Sequence, residues 1–503
     1  MPNKIKRIVI AGGGTSGWLA AIALGKLMGK VFDVTLVESN EIGRIGVGEA
    51  TIPPLRTFHK LVGIDERAFM SSTQSTFKLG IEFHNWKKKN DKYFHSFGVA
   101  GKDCWACDFT HFWIKGQQQK MASDFGSYCP EYVAAQHHKM GVAPDGSGLN
   151  VAYHLDAGLY AAFLREHATL NGVKRIEGMI DAVNMTPEGA IASLQMRDGQ
   201  VIEGDLFLDC TGFSARLIEG ALNVKFIEYG DMLPCDSAIA VQTEYTGDPK
   251  PYTQAIAHDF GWQWRIPLQH RTGNGLVYSS RYVSEDEATH TLLSNLESKA
   301  ITEPRGFKYR TGRRKTAWHK NCVAIGLASG FFEPVESTSI HLAMVGILKL
   351  LKALPNGVIS TSAIDEFNRQ TADEMDRVRN FIVLHYHATQ REDTPFWRYC
   401  KNMPIPEDLR HRIELFRDTG AIPIIEKELF QVNSWTQVMM GQGIVPQSYH
   451  PIVDSMNEAE LAKFLKNIEM DIRGKVEALP SHQAFIDKYC KSKPLKAAEE
   501  VAI

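Results

Sequence analysis

Ile8-Val9-Ile10-Ala11-Gly12-Gly13-Gly14-Thr15-Ser16-Gly17 opens the part of the chain that decides its architecture. A short apolar strand runs straight into three glycines. A helix-like run follows over residues 18–28, and Val34-Thr35-Leu36-Val37-Glu38 closes the unit as a second strand ending in an acid. A G-x-G-x-x-G between strand and helix, with an acid 21 residues after its last glycine, is the pattern of a dinucleotide site. Gly12 permits the tight turn, Gly14 lets the backbone approach a pyrophosphate, and Gly17 lets helix and strand pack closely. The helix start, with Gly13, Thr15 and Ser16 in its turn, presents unpaired amides and the positive end of a dipole. Glu38 is placed to accept from a ribose hydroxyl.

Working outward, the bulk properties set limits. The 503 residues suffice for a large core and suggest two or three domains, or one large domain with insertions. A hydrophobic content of 44% with 23% charged residues is ordinary for a soluble globular protein. The formal charge of −2 gives no electrostatic reason to expect nucleic acid or an anionic membrane as partner. No window approaches the ~20 apolar residues that span a bilayer, and the polar first residues do not read as a signal peptide. The eight cysteines are scattered, apart from Cys104-Trp105-Ala106-Cys107. That pair lacks the second pair or the βαβ context of a zinc or redox site, so it reads as structural, and no metal is expected. Reduced thiols imply a cytoplasmic location.

Beyond the opening unit, Ile45-Gly46-Val47-Gly48-Glu49-Ala50-Thr51-Ile52-Pro53-Pro54 is a glycine-punctuated loop able to lie against a flat ligand. Residues 55–150 are rich in aromatics and histidines and poor in helical period, which predicts strands and long loops. A helix is expected from Tyr153, with Leu155, Leu159, Ala162 and Phe163 on one face. Residues 191–196, the turn Arg197-Asp198-Gly199-Gln200 and the run from Val201 read as a hairpin. It leads into a buried strand ending Asp209-Cys210-Thr211-Gly212; a second such strand ends Gly326-Leu327-Ala328. Glu336-Ser337-Thr338-Ser339 then opens an apolar helix over residues 340–354, and the pattern is helical from about 360 to a polar tail expected to fray.

The glycine turn and the two later strand ends resemble the three contact regions of FAD-dependent two-dinucleotide-binding enzymes. No second G-x-G-x-x-G offers a home for a nicotinamide, so FAD is favoured over NAD, and its reducing equivalents come from elsewhere. Gly261-Trp262-Gln263-Trp264-Arg265-Ile266-Pro267 contains W-x-W-x-I-P, and through it the chain resembles flavin-dependent halogenases of the tryptophan-halogenase type. The loop around Gly46 and Gly48 is similar to that family's strap over the flavin. Phe77-Lys78-Leu79-Gly80 is similar to its catalytic-lysine segment, and Glu333-Pro334-Val335-Glu336-Ser337-Thr338-Ser339-Ile340 to its catalytic-glutamate and halide segment. The likeness runs in family order over most of the chain.

What the resemblance implies is specific. FAD, supplied reduced as FADH2, would be held by Gly12, Gly13, Gly14, Thr15, Ser16, Gly17, Glu38, Ala50, Asp209, Gly212, Leu327 and Ile340. With O2 and a halide, bromide or chloride, it would yield hypohalous acid. That oxidant would pass a tunnel bounded by Trp262, Trp264, Ile266, Pro267 and Ser337 to Lys78, which would hydrogen-bond it or carry the halogen as a haloamine. Glu336 would stabilise the cationic ring intermediate and take its proton. Thr338 and Ser339 would hold the halide, and a helix start favours an anion there on physical grounds as well. His95 and Phe97, an H-x-F pair, would stack on an indole. Two departures stand out. Residues 441–451 lack the tyrosine pair and acid with which tryptophan halogenases hold the amino-acid end of tryptophan, so an indole-like substrate is expected instead. Ser339 replaces the family's usual glycine, which suggests a preference for bromide.

The expected fold class is α/β: a Rossmann-like, two-dinucleotide-binding FAD domain with inserted strands, resembling aromatic hydroxylases. Its boundaries are read as 1–355, discontinuous, with substrate-side insertions around 55–150 and 215–315. A helical substrate-side module follows over 356–503. A separate flavin reductase is the implied transient partner, and a homodimer is left open. The alternative enzyme is an FAD-dependent aromatic monooxygenase, which would not require Lys78, Glu336 and W-x-W-x-I-P together. A flavin-dependent isoprenoid reductase would want a long aliphatic groove, against the aromatic-rich 80–115 region, and a non-enzymatic flavoprotein would leave the reactive pair without purpose. His385-Tyr386-His387 would place two histidines on different faces of a helix, and they are read as packing or surface residues without a metal.

Overall fold

The computed structural model describes residues 4–42, 48–104, 107–142, 146, 148–245 and 247–494. Gly46 and Val47 of the glycine-punctuated loop, Trp105 and Ala106 between the paired cysteines, and the tail from residue 495 lie outside the described residues.

Four of the five side chains of the strand Arg7–Ala11 are buried, as a strand covered on both faces requires. It pairs in parallel with Asp33–Glu38 on one side and Leu206–Asp209 on the other. Lys174–Glu177 lies beyond the former and Cys322–Ala324 beyond the latter, and Trp318–His319 closes that edge antiparallel. Ala11 stands opposite Asp209, which stands opposite Ala324, so three parallel strands end on one line. The three segments expected to hold the dinucleotide therefore leave the sheet side by side. The helix Thr15–Met28 buries Trp18 through Leu24 and packs against the helices Ala157–Leu170 and Ser339–Ala353.

A second, seven-stranded sheet runs Arg305–Lys308, Ser237–Glu244, Arg271–Tyr278, Gly261–Pro267, Thr253–Ala257, Gly80–His84 and Lys92–Ser96. One of its faces carries Phe83, Trp262 and Trp264, with Trp86 just past the strand end, into an apolar core shared with the C-terminal half of the long helix Thr361–His387. A separate core joins the first sheet and its helices to Phe77, Leu79 and Tyr153. Between these bodies sits a small sheet in which Ala152–Asp156 pairs antiparallel with both Gly48–Ala50 and Thr76–Lys78.

Two expectations about local structure change. The helix expected from Tyr153 starts later: Tyr153, His154 and Leu155 are strand residues, and the helix begins at Ala157 with Asp156 Oδ1 accepting from Leu159 N. The central position in the small sheet decides this, because the segment finds hydrogen-bonding partners on both sides. Residues 55–150 also contain more helix than their pattern suggested, namely Pro54–Val62, Glu66–Ser72, Phe109–Gln118 and Pro130–Gln136. Each is short, so a 3.6-residue period hardly recurs within it. Their sequence signals are the starts instead: Pro54, Pro130, and Asp65, whose carboxylate accepts from Ala68 N. The hairpin over residues 191–203 and the helix Ser339–Ala353 form as expected.

Candidate active site

The nucleotide cradle follows from the strand ends. Gly12 has φ +111°, and a Cβ there would strike the carbonyl of Cys210. A Cβ on Gly17 would strike the carbonyl of Gly12, so the helix can approach the strand only as glycine. By contrast, nothing lies within 4 Å of where a Cβ on Gly14 would stand, which leaves that amide edge open. Gly326, at φ +67°, presses against the Ser16 side chain and brings the turn Gly326–Ala328 with Leu327 against the glycine turn. Asp209 uses one carboxylate oxygen for Thr211 N and Oγ1, and the other for Leu217 N and Ile218 N. It shapes the turn at Gly212. Glu38 is buried at the end of its strand, where it accepts from Arg175 Nε at 2.7 Å and from Trp18 Nε1 at 3.3 Å. These residues fit an FAD: an open amide edge at a helix start, flanked by two further turns on the same sheet edge.

Lys78 ends the strand Thr76–Lys78 and is fully buried. Its Nζ donates to Thr51 O at 3.1 Å and to Ser337 Oγ at 2.8 Å, and stands 5.1 Å from the centroid of the Phe97 ring. Register explains the assembly. Thr51 follows Gly48–Ala50, which shares the central strand with Lys78, and Phe97 N bonds Leu79 O at 2.9 Å. Burial pushes the Lys78 ammonium down to about 7, against the opposing attraction of Glu336.

Glu336 ends the 3₁₀ turn Pro334–Glu336 and is also fully buried. Ser337 follows in the left-handed region at φ +58°, reversing the chain before the helix Ser339–Ala353. His95 Nδ1 lies 3.0 and 2.9 Å from the two oxygens of Glu336, and His385 Nε2 lies 2.8 Å from Oε1. Burial alone would push this carboxyl up; the two imidazoles outweigh it and hold Glu336 well below the usual carboxylate range. Lys78 and Phe97 thus belong to one cluster with Glu336, Ser337 and His95. The H-x-F pair divides its work, His95 on the glutamate and Phe97 on the lysine.

The helix that follows begins without a side-chain cap, and Thr338 Oγ1 is buried with no partner, so Thr338 and Ser339 sit at a helix start with unpaired donors. Ile340 is buried just beyond. The strand Gly261–Pro267 links the cradle to this turn. Ile266 packs on Gly48 beside Ala50, Trp264 lies flat over Gly275, and Trp262 Nε1 donates to Glu333 at 2.6 Å. Pro267 O accepts from Thr76 Oγ1 at 2.7 Å.

His385 corrects the reading of the paired histidines. It is a fully buried partner of Glu336, and its Nδ1 is 2.8 Å from Tyr93 OH. Gln442 Nε2 joins it, reaching His385 O at 2.8 Å and Tyr93 OH at 3.2 Å. Phe381, Phe430 and Trp435 form the aromatic wall beside His95. His385 falls in Leu384-His385-Tyr386, a stretch that also resembles the family but gives it no role; Gln442 and the aromatic wall carry no local motif. Tyr449, in the region where the family places its tyrosines, bonds Asp454 at the surface. Among the described residues no His, Cys, Asp and Glu group could hold a metal, and no helix is long and apolar enough to cross a membrane.

A cradle of this kind belongs to FAD-dependent oxidoreductases. Comparison with known proteins narrows the class: residues 7–458 match the tryptophan halogenase family model, and the chain belongs to that family. The tryptophan 7-halogenase RebH of Lentzea aerocolonigenes is 34% identical over 525 residues, covering 97% of this chain and 99% of RebH. Among solved structures, the flavin-dependent halogenase Xcc4156 from Xanthomonas campestris superimposes with a TM-score of 0.96 at 52% identity, covering 98% of this chain and 100% of that one. BrvH, a flavin-dependent halogenase from Brevundimonas sp. BAL3, gives 0.92 at 42% identity, over 97% and 99%. The protein is accordingly an FADH2-dependent halogenase, of a kind that uses a halide and O2, draws on a separate flavin reductase and acts on small molecules.

Proposed function

We propose that this halogenase acts on an indole-like aromatic ring, with Lys78 and Glu336 as the catalytic pair. The observation that carries the reading is the Lys78 ammonium, buried and held by Ser337 Oγ at 2.8 Å on the residue next to Glu336. Gly12–Gly17, Glu38, Ala50, Asp209, Gly212, Leu327 and Ile340 would hold reduced FAD, which with O2 would supply the oxidising power that turns halide into hypohalous acid. Thr338 and Ser339 hold the halide at the helix start. Trp262, Trp264, Ile266, Pro267 and Ser337 bound the route to Lys78.

With two of its protons given to Thr51 O and Ser337 Oγ, Lys78 has one N–H left to aim at the oxidant. The electron-rich face of Phe97 favours that charged form. Donation polarises the oxidant and places its halogen over one ring carbon. Glu336, kept ionised by His95 and His385, stabilises the ring cation and accepts the proton that the ring carbon loses, while a proton from Lys78 lets the oxidant's oxygen leave as water; the proton held by Glu336 then restores Lys78. The aromatic wall of Phe381, Phe430 and Trp435 suits a flat ring. Tyr449, the single tyrosine of residues 441–451, is engaged with Asp454, so this stretch lacks the tyrosine pair and acid that would grip the amino-acid end of tryptophan. An indole-like substrate fits this better than free tryptophan.

The test supplies reduced flavin from a reductase, indole, and equal chloride and bromide, and reads product masses. Predominantly brominated indole is expected. A hydroxylated product would overturn the chemistry, and a predominantly chlorinated one the halide preference attributed to Ser339.

A further inference from the structure

A second glutamate lies three residues before Glu336 and has no part in the halogen transfer described above. Glu333 is fully buried, and a single one of its oxygens accepts from both Trp262 Nε1, at 2.6 Å, and Tyr386 OH. Its other oxygen has no partner. Tyr386 and His385 are consecutive residues near the C-terminal end of the helix Thr361–His387. The turn Pro334–Glu336 is therefore gripped at both ends by one helix, with Tyr386 on Glu333 and His385 on Glu336. Trp262 adds a third anchor from the seven-stranded sheet.

Building on the roles proposed for Lys78 and Glu336, we infer that Glu333 is a positioning residue, latching the turn that aims Glu336 to the Trp262 strand and the Tyr386 helix. Contacts at Glu336 alone, from His385 and His95, would hold one end of the turn and leave the other free to pivot. Two contacts from adjacent helix residues remove the pivot. Chemistry at Glu336 depends on sub-ångström placement, and a misplacement of about 1 Å can cost on the order of 100-fold in rate. The two carboxyls also differ in state: burial pushes Glu333 up to about 7 against the two hydrogen bonds it accepts, whereas the imidazoles hold Glu336 ionised. Shifted upward in this way, Glu333 can latch while adding less than a full second buried charge to the site near neutral pH. The first tryptophan of W-x-W-x-I-P thereby acquires a role in holding the glutamate turn.

Glu333→Leu removes the acceptor, and Glu333→Gln keeps a carbonyl for both donors. Halogenated indole formed per FADH2 oxidised is measured for each, with the substrate KM and the rate of flavin oxidation. Glu333→Leu should lower product per flavin about tenfold or more, with KM and flavin oxidation unchanged, and Glu333→Gln should stay within about twofold of wild type. Tyr386→Phe, which deletes one donor, should fall between and carry the test if Glu333→Leu does not fold. Wild-type yields in all of these variants, or a Gln variant as poor as the Leu one, would overturn the proposal. Lys78→Ala, run alongside, separates the premises: full halogenation there would defeat the catalytic pair itself, whatever Glu333 does.

Discussion

At the scale of residues, the site depends on burying groups that prefer charge and then controlling that charge. Lys78 is the sharpest case. Its folded pKa of about 7 lies below the ordinary lysine value of 10.5 because burial outweighs the pull of Glu336. Between those two values the unfolded chain binds a proton that the native state does not. The native state therefore gains stability as pH rises through that window, by up to about 1.4 kcal/mol per pH unit. Lys78→Met abolishes this linkage. The Tm difference, variant minus wild type, should accordingly shrink from pH 6 to pH 9 in thermal melts. A difference that stays flat or widens would show that burial does not control this lysine. Ser337 matters here too, because its left-handed backbone turns its hydroxyl towards Lys78 immediately after Glu336.

Element by element, legibility followed the range of the physics. The strand, glycine turn and helix at the N-terminus could be read from the chain because each signal is local: a strand period, a turn needing positive φ at Gly12, a helix start. The strands ending at Asp209 and near Gly326 were readable for the same reason. Misjudged elements were settled by distant partners. Tyr153, His154 and Leu155 have helix-compatible spacing but lie between two strands that supply their hydrogen bonds. His385 looked like packing because its partner, Glu336, comes from a turn that no periodicity connects to it. The contact between Gly326 and Ser16 is a further example and makes a prediction. Gly326→Ala adds a Cβ at φ +67° against the Ser16 side chain. It should cost about 1–2 kcal/mol from the backbone alone and separate the two turns, lowering both Tm and FAD affinity. FAD binding by fluorescence titration, measured with the melt, checks this; unchanged affinity would mean that the two turns do not form one cradle.

Across the whole molecule, the candidate site lies on a seam between two apolar cores. Phe77 and Leu79, flanking Lys78, belong to the core under the first sheet and its helices. Val335, beside Glu336, belongs to the core between the seven-stranded sheet and the C-terminal helices. Sequence could name both partners through motif likeness, yet it could not place them together, since that depends on how the two cores meet. The same long-range packing supplies His385, Gln442 and the aromatic wall of Phe381, Phe430 and Trp435; of these only His385 falls in a stretch with family likeness, and that likeness does not reveal its partner. On the proposed roles, flavin oxidation belongs to the residues at the sheet edge and halogen transfer to Lys78 and Glu336 at the seam, so losing Lys78 should uncouple them. The most direct test follows halogenated indole and FADH2 oxidation together in wild type and Lys78→Ala, with reductase and bromide supplied. Halogenated product should fall to background in Lys78→Ala while FADH2 oxidation continues at the wild-type rate; full halogenation without the lysine would contradict the account.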